Sequence, residues 1–180
     1  MGIKRKHNGF TLLELVMVLA ILGIIIPAGF SMFIASMRAQ LKVNLLQEVK
    51  RNGDTSLSVI ESLIKSRTVS LQQLDGTSIC NTADSTYSAG DVYFVDPENE
   101  RFRFHLVGDT IASDSSSIGS ISLTGSKVAV TNFTLTCAKE TSFTTPIISI
   151  GYTVSQVNTT TRSEEQATMD YLTKVRLRTY

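Results

Sequence analysis

The sequence is poor in the residues on which most catalytic and metal sites depend. Its 180 residues include no tryptophan, two cysteines and two histidines. It contains no Cys/His spacing typical of a zinc site, no glycine-rich phosphate loop and no G-x-S-x-G elbow. We therefore expect no catalytic residue, no metal and no cofactor, and the composition favours a protein that is not an enzyme.

Charge is nearly balanced, with 17 basic and 16 acidic residues and a net charge of +1. This balance gives no firm indication of nucleic acid as a partner, because phosphate backbones select basic surfaces. One basic stripe could still form if two predicted strands were neighbours, from Arg101, Arg103, His105, Lys174, Arg176 and Arg178. A hydrated polar face is the favoured interpretation of these side chains.

Carboxylates surround one predicted turn, at Asp91, Asp96, Glu98 and Glu100. Their oxygens are the ligands that calcium prefers. The spacing matches no EF-hand loop, so a hydrated acidic turn explains the cluster as well as a calcium site does.

A long apolar segment dominates the N-terminal part of the chain. No residue from Leu15 to Met37 is charged, and as a helix this segment is about 35 Å long, enough to cross a bilayer core of about 30 Å. Lys4, Arg5 and Lys6 precede it and favour a cytoplasmic N-terminus. Basic residues also follow the apolar segment, at Arg38, Lys42, Lys50 and Arg51, so the positive-inside rule does not decide the orientation in the membrane.

Glu14 is unusual because a carboxylate beside an apolar span is unfavourable. A cut between Gly9 and Phe10 would remove the basic leader and free an α-amino group at Phe10. Glu14 of one copy could then pair with that amine on a neighbouring copy, setting the stagger of packed helices. The alternative is a glutamate at headgroup level, favoured by the helix dipole.

The segment Gly9-Phe10-Thr11-Leu12-Leu13-Glu14, followed by Val16–Ile24, resembles the class III signal of type IV pilins and type II secretion pseudopilins. The resemblance implies that a prepilin peptidase cuts after Gly9, that the new N-terminal Phe10 is N-methylated, and that Glu14 is needed for assembly. It also implies a membrane, other pilin subunits, the peptidase/N-methyltransferase and an assembly platform as partners. Pro27 lies slightly earlier than the proline common in the family.

We expect one helix from residue 10 to about 67, amphipathic beyond the apolar segment. Apolar residues recur there at helical spacing, at Ile34, Met37, Leu41, Leu45, Val49, Leu57, Ile60 and Ile64. Pro27 predicts a helix break, as a kink or a melted turn. At Asn52-Gly53-Asp54 we expect the helix to continue with a bend.

About six short strands are expected after the helix. Residues 68–90 predict a loop, with a short helix at Ser70–Leu74. The best strand pattern is Arg101–Val107, paired as a hairpin with Val92–Val95, and a change of phase predicts a bulge near Thr131-Asn132. Further strands are expected at Ser120–Leu123, Lys127–Ala138, Pro146–Gln156 and Ala167–Thr179, with Gly108–Ser117 as a loop or irregular strand.

Cys80 and Cys137 both lie beyond the apolar segment. Outside the cytoplasm such a pair can form a disulfide, and two unpaired thiols are the alternative.

The predicted fold is α+β, with the second half of the helix packed on an antiparallel sheet. The predicted parts are a leader (1–9), a transmembrane and assembly helix (10–37), its amphipathic continuation (38–67) and an extracytoplasmic β-rich domain (68–180). The expected function is that of a minor pilin or minor pseudopilin, held first in the cytoplasmic membrane and then in a cell-surface or periplasm-spanning filament. The alternatives are a signal-anchored binding domain that never polymerises and an exported protein cut near Ser36–Ala39.

Overall fold

The computed structural model describes residues 11–82, 85–88, 92–141, 143–157 and 166–178. Within these residues, one helix, α1 (Leu12–Arg67), is followed by nine strands. They are β1 (Ser70–Gln72), β2 (Ser85–Ser88), β3 (Tyr93–Val95), β4 (Arg101–Val107), β5 (Thr110–Ser115), β6 (Gly119–Ser122), β7 (Val128–Lys139), β8 (Ile147–Gln156) and β9 (Thr168–Arg176). The α+β class and the long helix are confirmed, whereas the expected six strands were too few.

The chain divides into two compact units, Met1–Leu41 and Lys42–Tyr180. Within the described part of the first unit, every residue of α1 is exposed. In the second unit, the rest of α1 buries one face, formed by Val49, Gly53, Ser56, Ile60 and Ile64. The predicted stripe is therefore confirmed from Val49 onward, because burial there follows helical spacing.

The strands form two antiparallel sheets rather than one. The first has the order β1-β3-β4-β5-β6 and the second the order β2-β7-β8-β9. The predicted β3–β4 hairpin is confirmed, with Phe94 opposite Phe102. The register of β7 against β8 shifts between Thr131 and Thr134, which confirms the predicted bulge, and Asn132 there has a φ of 55°.

The short helix expected at Ser70–Leu74 is wrong, because Ser70–Gln72 pairs with β3 as strand β1. Leu71 in the middle of β1 is buried, so the segment is held by the core rather than by local propensity. Thr110–Ser115, expected as a loop or irregular strand, is a regular strand paired on both sides.

Both sheets and the second half of α1 contribute to one hydrophobic core. Its largest fully buried side chains are Phe94, Phe104, Ile60, Ile64, Ile111, Ile148 and Ile150. Phe94, Phe102 and Phe104 form an aromatic cluster, with ring centroids 5.3 to 5.8 Å apart. This core fixes the helix to the sheets within the second unit.

Candidate assembly site

Glu14 lies in the first turn of α1 and its side chain is exposed. Thr11 caps this turn: its carbonyl oxygen accepts hydrogen bonds from the amides of Glu14 (3.1 Å) and Leu15 (3.2 Å). Its hydroxyl oxygen also accepts the amide of Glu14 at 3.3 Å. The order Thr-x-x-Glu is the capping-box signature, a signal present in the sequence that we missed. Gly9 and Phe10 lie outside the described residues.

The apolar part of α1 has no partner within the described chain. Its exposed side chains include Leu12 (81%), Ile24 (74%) and Met32 (76%). In the part of the chain that the structure describes, one helix, α1, is long and apolar enough to cross a membrane, and none of its most apolar 18-residue window is buried. An apolar surface this large is stable in lipid or against other apolar helices.

Pro27 lies inside α1, which is helical without interruption from Leu12 to Arg67. The melted turn expected at Pro27 is therefore absent from this structure, and a kink there stays a prediction. Proline cannot donate the hydrogen bond that would close its own turn, so neighbouring bonds hold the helix at this point. The continuity expected at Asn52-Gly53-Asp54 is confirmed.

Polar contacts in the second unit attach the sheets to the backbone of α1. The Tyr152 hydroxyl donates to the carbonyl oxygen of Gly53 at 2.8 Å, and the Tyr171 hydroxyl donates to that of Lys50 at 3.2 Å. The two rings stack with centroids 5.2 Å apart. On the other side, the amide of Gly125 donates to the Asn52 side chain at 3.0 Å. Sequence reasoning missed this set because each pair is distant along the chain.

Burial changes the acidity of both tyrosines. It raises the pKa of Tyr171 to about 12, and the neighbouring Asp54 carboxylate adds to the effect. Burial also raises the pKa of Tyr152, and the Tyr171 ring beside it contributes. Both hydroxyls therefore remain protonated donors throughout the physiological range.

Cys80 and Cys137 form a disulfide, as the sequence predicted. Cys80 follows β1 of the first sheet and Cys137 lies in β7 of the second. Both residues are buried. The bond therefore joins the segment after β1 covalently to the other sheet.

The basic stripe, which the sequence left as the less favoured alternative, does not form between neighbouring strands. Its two parts lie in different sheets, β4 in the first and β9 in the second, so they are not hydrogen-bonded neighbours. Arg103 instead donates to Asp114 Oδ2 at 3.1 Å, and His105 Nε2 lies 3.5 Å from the same oxygen. The Ser120 hydroxyl, Arg103 and His105 all lower the pKa of the Asp114 carboxyl.

In the acidic turn, the first described carboxylate, that of Asp96, makes a hydrogen bond within the turn itself. Asp96 Oδ1 accepts the amide of Glu100 at 2.7 Å, closing the connection between β3 and β4. Asp91 lies outside the described residues. Among the described residues, no group of three potential metal ligands occurs. The alternative of a calcium site therefore has no structural support among these residues.

Residues 4–26 match the family model of the prokaryotic N-terminal methylation motif. The chain carries a prepilin-type methylation signal. Together with the long apolar helix, this signal is consistent with a type IV pilin-like protein and implies a structural, membrane-associated precursor that a peptidase processes.

No curated protein matches the chain, and no solved structure matches it. The match to the methylation motif covers residues 4–26.

Proposed function

We propose that this chain is a structural subunit of a type IV filament-type machine, of the minor pilin or minor pseudopilin kind. The observation that carries the proposal is a methylation signal at residues 4–26 at the start of a 56-residue helix whose first half is apolar and exposed. The loop-rich domain, whose nine described strands range from three to twelve residues, supports a minor subunit over a main fibre subunit.

In this proposal, residues 1–9 are removed and Phe10 becomes the methylated N-terminus. Residues 10–37 hold the subunit in the cytoplasmic membrane and later form the filament interior. Residues 38–67 continue the helix into an extracytoplasmic domain formed by residues 68–180. The assembly platform then moves the subunit into a filament at the cell surface or across the periplasm.

Glu14 pairs in this proposal with the Phe10 amine of a neighbouring subunit. A carboxylate and an ammonium group at the same depth of an apolar bundle neutralise each other, which offsets the cost of burying either one. No cation meets Glu14 among the described residues, and its exposed side chain is available for such a contact.

Mass spectrometry of the mature protein tests the processing step. We expect an N-terminus at Phe10 carrying one added methyl group. A chain that retains Met1 or Gly2 in a host with an active prepilin peptidase would contradict the proposal. It would favour a signal-anchored binding domain that does not polymerise.

Three variants separate a pairing role of Glu14 from the capping role that its place in the Thr-x-x-Glu signature allows. Glu14→Gln keeps a side chain that serves in a capping box but removes the charge. Thr11→Val removes the capping hydroxyl and keeps the carboxylate, and Glu14→Ala removes both functions of residue 14. We expect cleavage in all three and filament incorporation only in Thr11→Val. Normal incorporation of Glu14→Gln would show that the charge is not needed.

A further inference from the structure

Arg38 and Lys42 are the first charged residues after the apolar segment of α1. They are four residues apart in the sequence, which is about one helical turn and a rise of about 6 Å. The side chains of both residues are exposed. The C-terminal end of the apolar segment is therefore followed by two cations within one turn of helix.

No carboxylate of the described chain neutralises these two cations. The sequence has no Asp or Glu between Glu14 and Glu48. Glu48 lies six residues beyond Lys42, and its carboxylate accepts a hydrogen bond from the Asn52 side-chain amide at 3.3 Å. Among the described residues, neither Arg38 nor Lys42 takes part in an ion pair. Their positive charge is thus available to a partner outside the chain.

The length of the apolar segment places both cations at the surface of a bilayer. Leu15–Met37 spans about 35 Å as a helix, whereas a hydrocarbon core is about 30 Å thick and each headgroup layer adds about 5–7 Å. Arg38 then leaves the hydrocarbon where the lipid phosphates begin. Lys42 lies near the outer limit of the same headgroup layer, and its long side chain can reach back into that layer.

The two ends of the span differ in charge once the leader has been removed. Lys4, Arg5 and Lys6 leave with residues 1–9, and the Glu14 carboxylate then balances the new α-amino group of Phe10. The end of the span near Phe10 has no net charge, whereas the opposite end has two positive charges. Attraction for anionic lipids is therefore concentrated in the leaflet at the C-terminal end of the span.

We propose that Arg38 and Lys42 bind the headgroups of anionic phospholipids in this leaflet while the subunit is held in the membrane. A guanidinium group suits a phosphate because its planar N–H donors bind two oxygens at once, and an ammonium group adds a second point charge. The inference rests on the membrane-held stage of the proposed function and names a partner for that stage. Entry of the subunit into a filament must then break these lipid contacts.

Lipid retention by the full mature chain tests this binding. The chain is purified in detergent from cells with an active prepilin peptidase, and it is mixed with equal amounts of phosphatidylglycerol and phosphatidylcholine that share the same acyl chains. After gel filtration, mass spectrometry measures how much of each lipid stays with the protein. Both lipids have a phosphate, but only phosphatidylglycerol is anionic. Each basic residue at a membrane surface favours anionic lipid about five-fold, so we expect a preference for phosphatidylglycerol of up to about 25-fold at low salt.

Two pairs of substitutions show which cations are responsible. Arg38→Gln with Lys42→Gln should bring the retention of the two lipids close to equality. Lys50→Gln with Arg51→Gln is the matched control, because it removes the same charge from exposed positions of α1 that lie about 20 Å beyond Met37. This control should keep the preference for phosphatidylglycerol. Arg38→Lys should keep most of the preference, since the charge remains.

Three results overturn the lipid site. One is equal retention of the two lipids by the unaltered chain. The second is a loss of preference in the Lys50 and Arg51 control as large as in the Arg38 and Lys42 variant. The third is a loss of preference when inorganic phosphate replaces chloride at the same ionic strength, which would identify free phosphate as the ligand. A mature N-terminus at Phe10 in the same sample shows that such a failure concerns the lipid site and not the proposed function.

Discussion

The ring of Tyr171 occupies the space that a side chain at residue 53 would need. A Cβ atom built on Gly53 would lie 2.2 Å from Cζ of Tyr171. Gly53 is itself buried, in the second half of α1. Glycine lowers the helix propensity at this position, but its lack of a side chain allows β9 to pack against α1.

Gly53→Ala should destabilise the protein by about 1–3 kcal/mol, although alanine improves helix propensity by about 1 kcal/mol. The Tyr171 ring cannot yield freely because it stacks on Tyr152. Denaturant unfolding of the full chain in detergent measures the effect. Gly29→Ala is the matched control, since nothing lies within 4 Å of that helical glycine and it should be neutral or stabilising. Stabilisation by Gly53→Ala would contradict this packing.

Alkaline solution should weaken the attachment of β8 and β9 to α1. Burial raises the pKa of Tyr171 to about 12 and also raises the pKa of Tyr152, whereas a tyrosine in the unfolded chain ionises near pH 10. The folded state then holds more protons, so this stabilisation is complete below about pH 10 and is lost as pH rises toward the folded-state values. Absorbance titration of the folded protein should show a fraction of tyrosinate that forms at higher pH than in the unfolded chain. Tyr152→Phe with Tyr171→Phe should remove the late component, and Tyr93→Phe should keep it.

Acid should weaken a second attachment, between Glu61 on α1 and Thr173 on β9. The Lys65 amino group, 2.8 Å away, and the Thr173 hydroxyl, 2.6 Å away, hold the pKa of Glu61 below 4.5. A lowered folded-state pKa gives stability that is present above pH 4.5 and is lost as pH falls through the folded value. Glu61→Gln should cost about 1 kcal/mol at pH 7 and flatten the acid dependence of unfolding in that window.

Glu98→Gln is the control for the acid experiment, because Glu98 is an exposed carboxylate in the turn after β3. An acid profile of Glu61→Gln that matches the unaltered chain would assign the acid dependence to other groups.

Reduction of the disulfide should lower stability by a large amount. Cys80 and Cys137 are 57 residues apart, and closing a loop of that length in the unfolded chain corresponds to about 4 kcal/mol at most. Unfolding curves with and without reductant measure the difference. The variant Cys80→Ala with Cys137→Ala should be insensitive to reductant. Equal curves for the unaltered chain would contradict a stabilising bond.

The sequence predicted the elements whose patterns are local. Phe102 and Phe104 alternate with polar residues, so β4 and its hairpin were clear, and the change of phase between Val130 and Phe133 gave the bulge. The methylation signal was equally clear because it is contiguous. In each case one short segment carries all of the information.

The parts that the sequence did not predict depend on residues far apart in the chain. Strand β1 has three residues, too few for a period, and Leu71 is recognisable only from the core that covers it. The division into two sheets depends on which strands pair, which alternation alone does not specify. For the same reason the sequence indicated only a bend at Gly53, since the Tyr171 ring that requires a glycine there belongs to the last described strand.

The disulfide also limits how far this protein can be stretched. A tensile load applied through α1 would act on the hydrogen bonds that join Lys50 and Gly53 to the sheets. The residues between Cys80 and Cys137 cannot lengthen while the bond is intact. The disulfide therefore keeps about 200 Å of chain from being extended, since an extended residue spans at most about 3.6 Å. The oxidised chain should therefore extend by a shorter step than the reduced chain, and force spectroscopy of single molecules would measure the difference in extension.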